Sequence, residues 1–214
     1  MKHKIEKNTV HETLILPLYS RKLCTELYPN LYQDETAVRL IDEIDYDFSE
    51  AEKNSRSLMQ RFGALEVAMR QNDLAWEVRD YLKTHPSAAV FFASGVFYYF
   101  LTQQVKALVQ QMADAFSGGV LVFDAANRTA VKMIAKTWLR TAKIKDVGAY
   151  FAVSDAPKEI GEWDNRLQVT SRGYMLGYND LRDHSVSGFF RFLARVGDNG
   201  MKMQIVKIRF GGKA

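Results

Sequence analysis

The sequence predicts an α/β protein with a helical N-terminal part, and two observations carry that expectation. To about Lys83 apolar residues recur at helical spacing; beyond it, short apolar runs alternate with helical patterns. Strand–helix–strand–helix order builds a sheet with helices on its faces. The chain has 214 residues, 47% hydrophobic and 25% charged, which suits one domain, residues 1–214, with a sizeable core.

Taken in order, "TAVRLIDEIDYDFS" places Ala37, Leu40, Ile41 and Ile44 on one helix face. "GALEVAMRQNDLAWEVRDYLKTHP" repeats the pattern with Leu74, Ala75, Val78, Tyr81 and Leu82 until Pro86 stops it. "AAVFFAS" then reads as a buried strand, a continuous apolar run of the kind parallel sheets contain. A helix opened by Thr102 follows, with Val105, Leu108, Val109, Met112 and Phe116 as its inner stripe and Gly118-Gly119 at its end. "VLVFDA" is a second buried strand. Val131, Ile134, Ala135 and Trp138 mark another helix. "RLQVTSRGYMLGY" holds a strand and a turn, and "HSVSGFFRFLARVG" a short helix with Phe189, Phe190 and Leu193. "GDNG" is a tight turn and "MKMQIVKIRF" a closing strand, antiparallel to the one before it. Its alternation slips between Ile205 and Val206, which predicts a bulge or burial on both faces.

Composition excludes several classes. The longest apolar run, Ala88–Leu101, falls short of the roughly 20 residues a membrane span needs. The N-terminus lacks the apolar region and cleavage site of a secretory leader, so a cytoplasmic protein is expected. A single cysteine, Cys24, excludes an intramolecular disulfide and every cysteine-based metal cluster, and reads as a small buried hydrophobe. Net charge is +4, but bases and acids are interleaved along the chain. The densest basic stretch, Lys136–Asp146, mixes its bases with apolar helix positions and reads as a solvated helix face, so no nucleic-acid partner is expected.

Three stretches carry a specific likeness. "VHETLILPLYSRKL" with "LYPNLYQDETAVRLIDEIDYDFS", "GALEVAMRQNDLAWEVRDYLKTHPSAAV", and "FFASGVFYYFLTQQVKALVQQMADAFSGGVLVFDAAN" resemble successive blocks of the leucine carboxyl methyltransferase family, which includes polyketide-synthesis O-methyltransferases. The resemblance covers most of the chain to Asn127. It implies a class I (Rossmann-like) methyltransferase sheet with a helical N-terminal cap, S-adenosylmethionine as cofactor, and a small-molecule or carboxylate methyl acceptor.

The chain departs from that pattern at one place. In the family, the strand ending "AAV" runs into a glycine-rich loop that holds the cofactor. Here Val90 is followed at once by "FFASGVFYYF", the block after the fourth strand, and no GxGxxG or GxGxG occurs anywhere. The missing piece amounts to about two βα units, on the order of 60 residues. The expected fold is therefore a truncated methyltransferase sheet. Residues 1–83 form the cap and lead-in helix, residues 84–214 a partial core with a junction near 90–91, and the C-terminal edge is antiparallel.

The resemblance gives Arg70 to the cofactor carboxylate, and a guanidinium fork suits that task; residue type alone makes it an ordinary helix arginine. Ser94 and Gly95 fall in the cofactor loop after the fourth strand, with serine where many members carry glutamate. Tyr98 and Tyr99 match an aromatic pair, Tyr99 as a substrate contact or both as core. Asp124 ends a strand where open α/β sheets bind ligands, or caps the next helix. His11, in the cap that closes over substrate, is a candidate base. Neither it nor His184 has metal-binding spacing, since no HExxH is present. Two functions stand: an S-adenosylmethionine-dependent O-methyltransferase, and a non-catalytic remnant acting as an interaction module. Loss of the first units would leave Ala88–Ala93 as an exposed edge strand, so a homodimer is expected.

Overall fold

The computed structural model describes residues 2–6, 12, 14–91, 94–134, 136 and 148–211. The expectations for His11, Ala135, Trp138 and most of the basic stretch 136–146 lie outside these residues.

The N-terminal half is helical, as the spacing predicts. A two-residue strand β1 (His3–Lys4) pairs in parallel with β2 (Ile44–Asp45). Between them lie α1 (Ile15–Leu27), which buries Ile15, Tyr19 and Leu23 at four-residue spacing, and α2 (Glu35–Glu43). Asp34 starts α2 by accepting from the Ala37 N–H at 2.9 Å. α3 (Ser49–Asn54) leads to α4 (Leu58–Leu82), whose first turn is held by Ser57 Oγ accepting from Gln60 N at 3.2 Å. One face of α4 is built from Ala64, Leu65, Ala68 and Met69, all buried, and α1 packs along it. The predicted stripe further along α4 is only partly buried: Leu74 is in the core, while Ala75, Val78, Tyr81 and Leu82 are half-buried.

The middle of the chain departs from expectation. Residues 88–91 form no strand; Val90 and Phe91 face solvent, Phe91 at 87% exposure. A continuous apolar run becomes a buried strand only with strands at its edges and helices over both faces, and among the described residues neither covers 88–91. The edge strand expected over Ala88–Ala93 is thus absent from 88–91. A 3₁₀ turn, Phe97–Tyr99, precedes α5 (Thr102–Ala115). The side chain that opens α5 is Gln104, whose Oε1 accepts from Leu101 N at 2.8 Å; Thr102 is the first helical residue. Its buried stripe is Val105, Val109 and Ala113, with Leu108 and Phe116 exposed.

β3 (Val120–Ala125), α6 (Arg128–Ile134), α7 (Ala156–Gly161), β4 (Leu167–Gly173), α8 (Gly188–Arg195) and β5 (Gln204–Phe210) complete the described chain. "GDNG" belongs to a single π-helical turn, Val196–Gly200, that continues α8. The sheet order is β3-β5-β4, antiparallel throughout. The fold is mixed α/β, and the antiparallel C-terminal edge is present. β5 lies between the other two strands with an unbroken register, from Val120↔Arg209 to Ala125↔Gln204 and from Leu167↔Phe210 to Gly173↔Gln204. The slip at Ile205-Val206 therefore reflects burial on both faces, with no bulge.

That central sheet separates two cores. On one face, Phe123, Ala125, Val206, Ile208 and Phe210 pack against α5 and α7. On the other, Ile205 joins residues of α1, α2, α4 and α8. Side chains alternate along a strand, so the second face also receives Asp124, Arg172 and Lys207. This face meets α4.

Candidate functional site

The seam between α4 and the sheet is polar. Glu66, Arg70, Asp73 and Glu77 recur along α4 at spacings of four, three and four, which sets them on one side of the helix. Each finds a partner from the C-terminal half. Tyr174 Oη donates to Glu66 Oε1 at 3.1 Å, and Arg70 Nη1 to Asp124 Oδ2 at 3.2 Å. Asn179 Nδ2 donates to Asp73 Oδ1 at 2.9 Å. Glu77 accepts from Tyr178 Oη at 2.7 Å and from Lys207 Nζ at 2.6 Å.

Arg70 and Gly95, two of the sequence-predicted residues, meet here. Gly95 has φ +71, a backbone conformation that glycine adopts without penalty. This turn aims the Gly95 N–H at Asp124 Oδ1, 2.7 Å away. A Cβ at Gly95 would stand 3.5 Å from Arg70 Nη2, so the guanidinium lies against the glycine. Asp124 thus spends one oxygen on Arg70 and the other on Gly95. Its side chain is 1% exposed and that of Arg70 15%. Burial pulls the Arg70 guanidinium down; the Asp124 carboxylate and the nearby Tyr174, Tyr98 and Glu66 outweigh it and leave it above its ordinary value. Burial, then Asp124, pushes the Tyr98 phenol well up; burial, then Glu66, does the same for Tyr174. Burial also raises Glu66. The tyrosines are therefore neutral donors over the ordinary pH range.

Other expectations are settled by position. The aromatic residue that enters the cluster is Tyr98, which is buried, while Tyr99 is half-buried. Ser94 is half-buried beside Gly95. His11 is outside the described residues, and His184 is exposed. Asp124 does not cap α6: Asn127 does, its Oδ1 accepting from Ala130 N at 3.0 Å. Cys24 is fully buried, and burial pushes its thiol up to about 12, as a small core hydrophobe requires. Among the described residues no cluster of potential metal ligands occurs, and no helix is long and apolar enough to cross a membrane.

The residues around Arg70 do not fit the carboxylate of S-adenosylmethionine. To reach Nη1, that carboxylate would displace Asp124 and strand its buried charge. Sequence reasoning missed Glu66, Asp73, Glu77, Tyr174 and Asn179. The signal was the four–three–four spacing of charges on α4, which marks a polar helix face as surely as an apolar stripe marks a core.

Comparison of the chain with protein-family models, with curated proteins and with solved structures returns no match.

Proposed function

We propose that the chain is a non-catalytic, methyltransferase-like interaction module. The observation that carries this reading is the Arg70–Asp124–Gly95 closure. The arginine that the family resemblance gives to the cofactor is paired inside the protein, and it ties α4 to the sheet. Two features support the ancestry: the antiparallel C-terminal edge and the position of Gly95 after a truncated apolar run. The Rossmann-like parallel strands of a complete methyltransferase belong, in this reading, to the segment the sequence lacks.

The test is calorimetric titration of S-adenosylmethionine and its demethylated product into the protein. No heat at millimolar ligand is expected. The second reading is an S-adenosylmethionine-dependent O-methyltransferase acting on a small molecule or a carboxylate. One observation favours it: Arg70 Nε is buried without a hydrogen-bond partner among the described residues, so one donor of its fork is unused. Micromolar binding that is lost in the double variant Arg70→Met with Asp124→Leu, which removes both buried charges, would establish that reading and overturn the first.

The partner we propose is a second copy of the chain, docked through the exposed apolar side chains Val90, Phe91, Phe100 and Leu101. Light scattering at micromolar concentration should give a dimer that Phe91→Ser dissociates. A monomeric wild type would reject this partner.

A further inference from the structure

A second polar cluster lies further along the same seam, clear of Arg70. Asp73 on α4 is 1% exposed. Its Oδ1 accepts from Asn179, while its Oδ2 has no hydrogen-bond partner among the described residues. Every element packed against it brings charge. Asp198, from the π-helical turn, gives its two oxygens to Met175 N at 3.0 Å and Leu176 N at 2.8 Å. Glu77, one turn on along α4, is held by Tyr178 and Lys207. Arg172, from β4, has its guanidinium 4.6 Å from the Tyr178 ring centroid and 5.9 Å from that of Trp76. Asp73 thus has Asp198, Glu77 and Arg172 as charged neighbours, and Arg172 is stacked on aromatic rings.

A buried carboxylate with a bare oxygen carries an uncompensated charge, whereas the protonated acid is neutral. The segment that meets it, residues 174–181, is clamped to α4 through Tyr174, Tyr178 and Asn179. That segment ends at Leu181, held at φ 53, a conformation costly for a residue with a Cβ. Residues 176–181 line an open cleft of ≈ 520 Å³ with Leu31, so the segment borders open space.

We propose that Asp73 is a proton latch: protonated, it keeps residues 174–181 seated on α4, and ionised, it releases them. Burial, then Asp198 and Glu77, raises its carboxyl to about 8, against the opposing pull of Asn179 and Arg172. Release therefore falls within a range that a modest rise in pH reaches. The latch would alter the surface around the cleft without any ligand.

Hydrogen–deuterium exchange of segment 174–181, corrected for intrinsic rates from pH 6 to pH 9, tests the latch. In the wild type, protection should fall at least about fivefold between pH 6 and pH 8 and level off above about 8, while β5 keeps its protection. Asp73→Asn should hold protection flat across that range. The same loss in Asp73→Asn, or flat protection in the wild type, overturns the proposal. Should Asp73→Asn fail to fold, Arg172→Gln carries the test: removing the neighbouring cation must raise the pH at which protection stops falling, and an unchanged profile overturns the latch.

Discussion

Replacing Asp124 by asparagine keeps the shape of the side chain and removes its charge. The amide oxygen can still accept from Gly95 N, but its NH₂ then faces Arg70 Nη1 where an acceptor stood 3.2 Å away. Two donors oppose each other, and a guanidinium with only 15% of its side chain exposed loses its counter-charge. Breaking one side of a buried ion pair costs about 3–5 kcal/mol. With a urea m-value of about 2–3 kcal/mol/M, the unfolding midpoint should fall by roughly 1–2.5 M. The double variant Arg70→Met with Asp124→Leu removes both charges and fills the same space. It should recover most of that loss, because an apolar replacement of a buried pair is often neutral or better. The assay is urea unfolding followed by far-UV circular dichroism. A midpoint shift below about 0.3 M for Asp124→Asn would show that Arg70 does not depend on Asp124. A double variant as unstable as the single one would do the same. Either result would remove the structural role assigned to the pair.

Two further outcomes follow from the same seam. Asp73, with its carboxyl raised from 3.8 to about 8, binds more protons in the native state than in the unfolded chain between those values, so its contribution to stability declines as pH rises through that window. Unfolding free energies from urea curves at pH 5, 6 and 7 should fall by up to about 1.4 kcal/mol per pH unit from this group, and Asp73→Asn should flatten the fall; an unaltered slope would count against it. Lys207→Met leaves Glu77 buried with Tyr178 as its remaining hydrogen-bond donor in this contact; because the lysine side chain is 20% exposed, a loss of about 2–3 kcal/mol is expected, below the ~3–5 of a fully buried pair, and a neutral change would reject the contact.

Much of the local structure was legible in the sequence because it is a local property. Helical spacing identified α2, α4, α5 and α8, a short apolar run identified β3, alternation identified β5, and the stretch that holds β4 read as a strand and a turn. The odd alternation at Ile205-Val206 left a bulge or burial on both faces open, and the unbroken register of β5 decided for burial. Arg70 and Gly95 were singled out through the family resemblance, and both lie in the cluster. Their common partner was not legible, because Asp124 is 54 residues from Arg70 and reads equally well as a helix cap. Nothing in "AAVFFAS" reveals whether strands and helices will be there to cover it.

The sequence by itself determined the helical N-terminal half, the antiparallel pairing of the last two strands and the absence of a glycine-rich loop. Each depends on side-chain periodicity or on residue type within a short window. Only the tertiary structure decided that β5 lies between β3 and β4, and that Val90 and Phe91 stay in solvent. It also decided that α4 meets the sheet through charges. A buried charge is tolerated only when its partner arrives from elsewhere in the chain, and where that partner arrives is set by packing, over distances that no local pattern records.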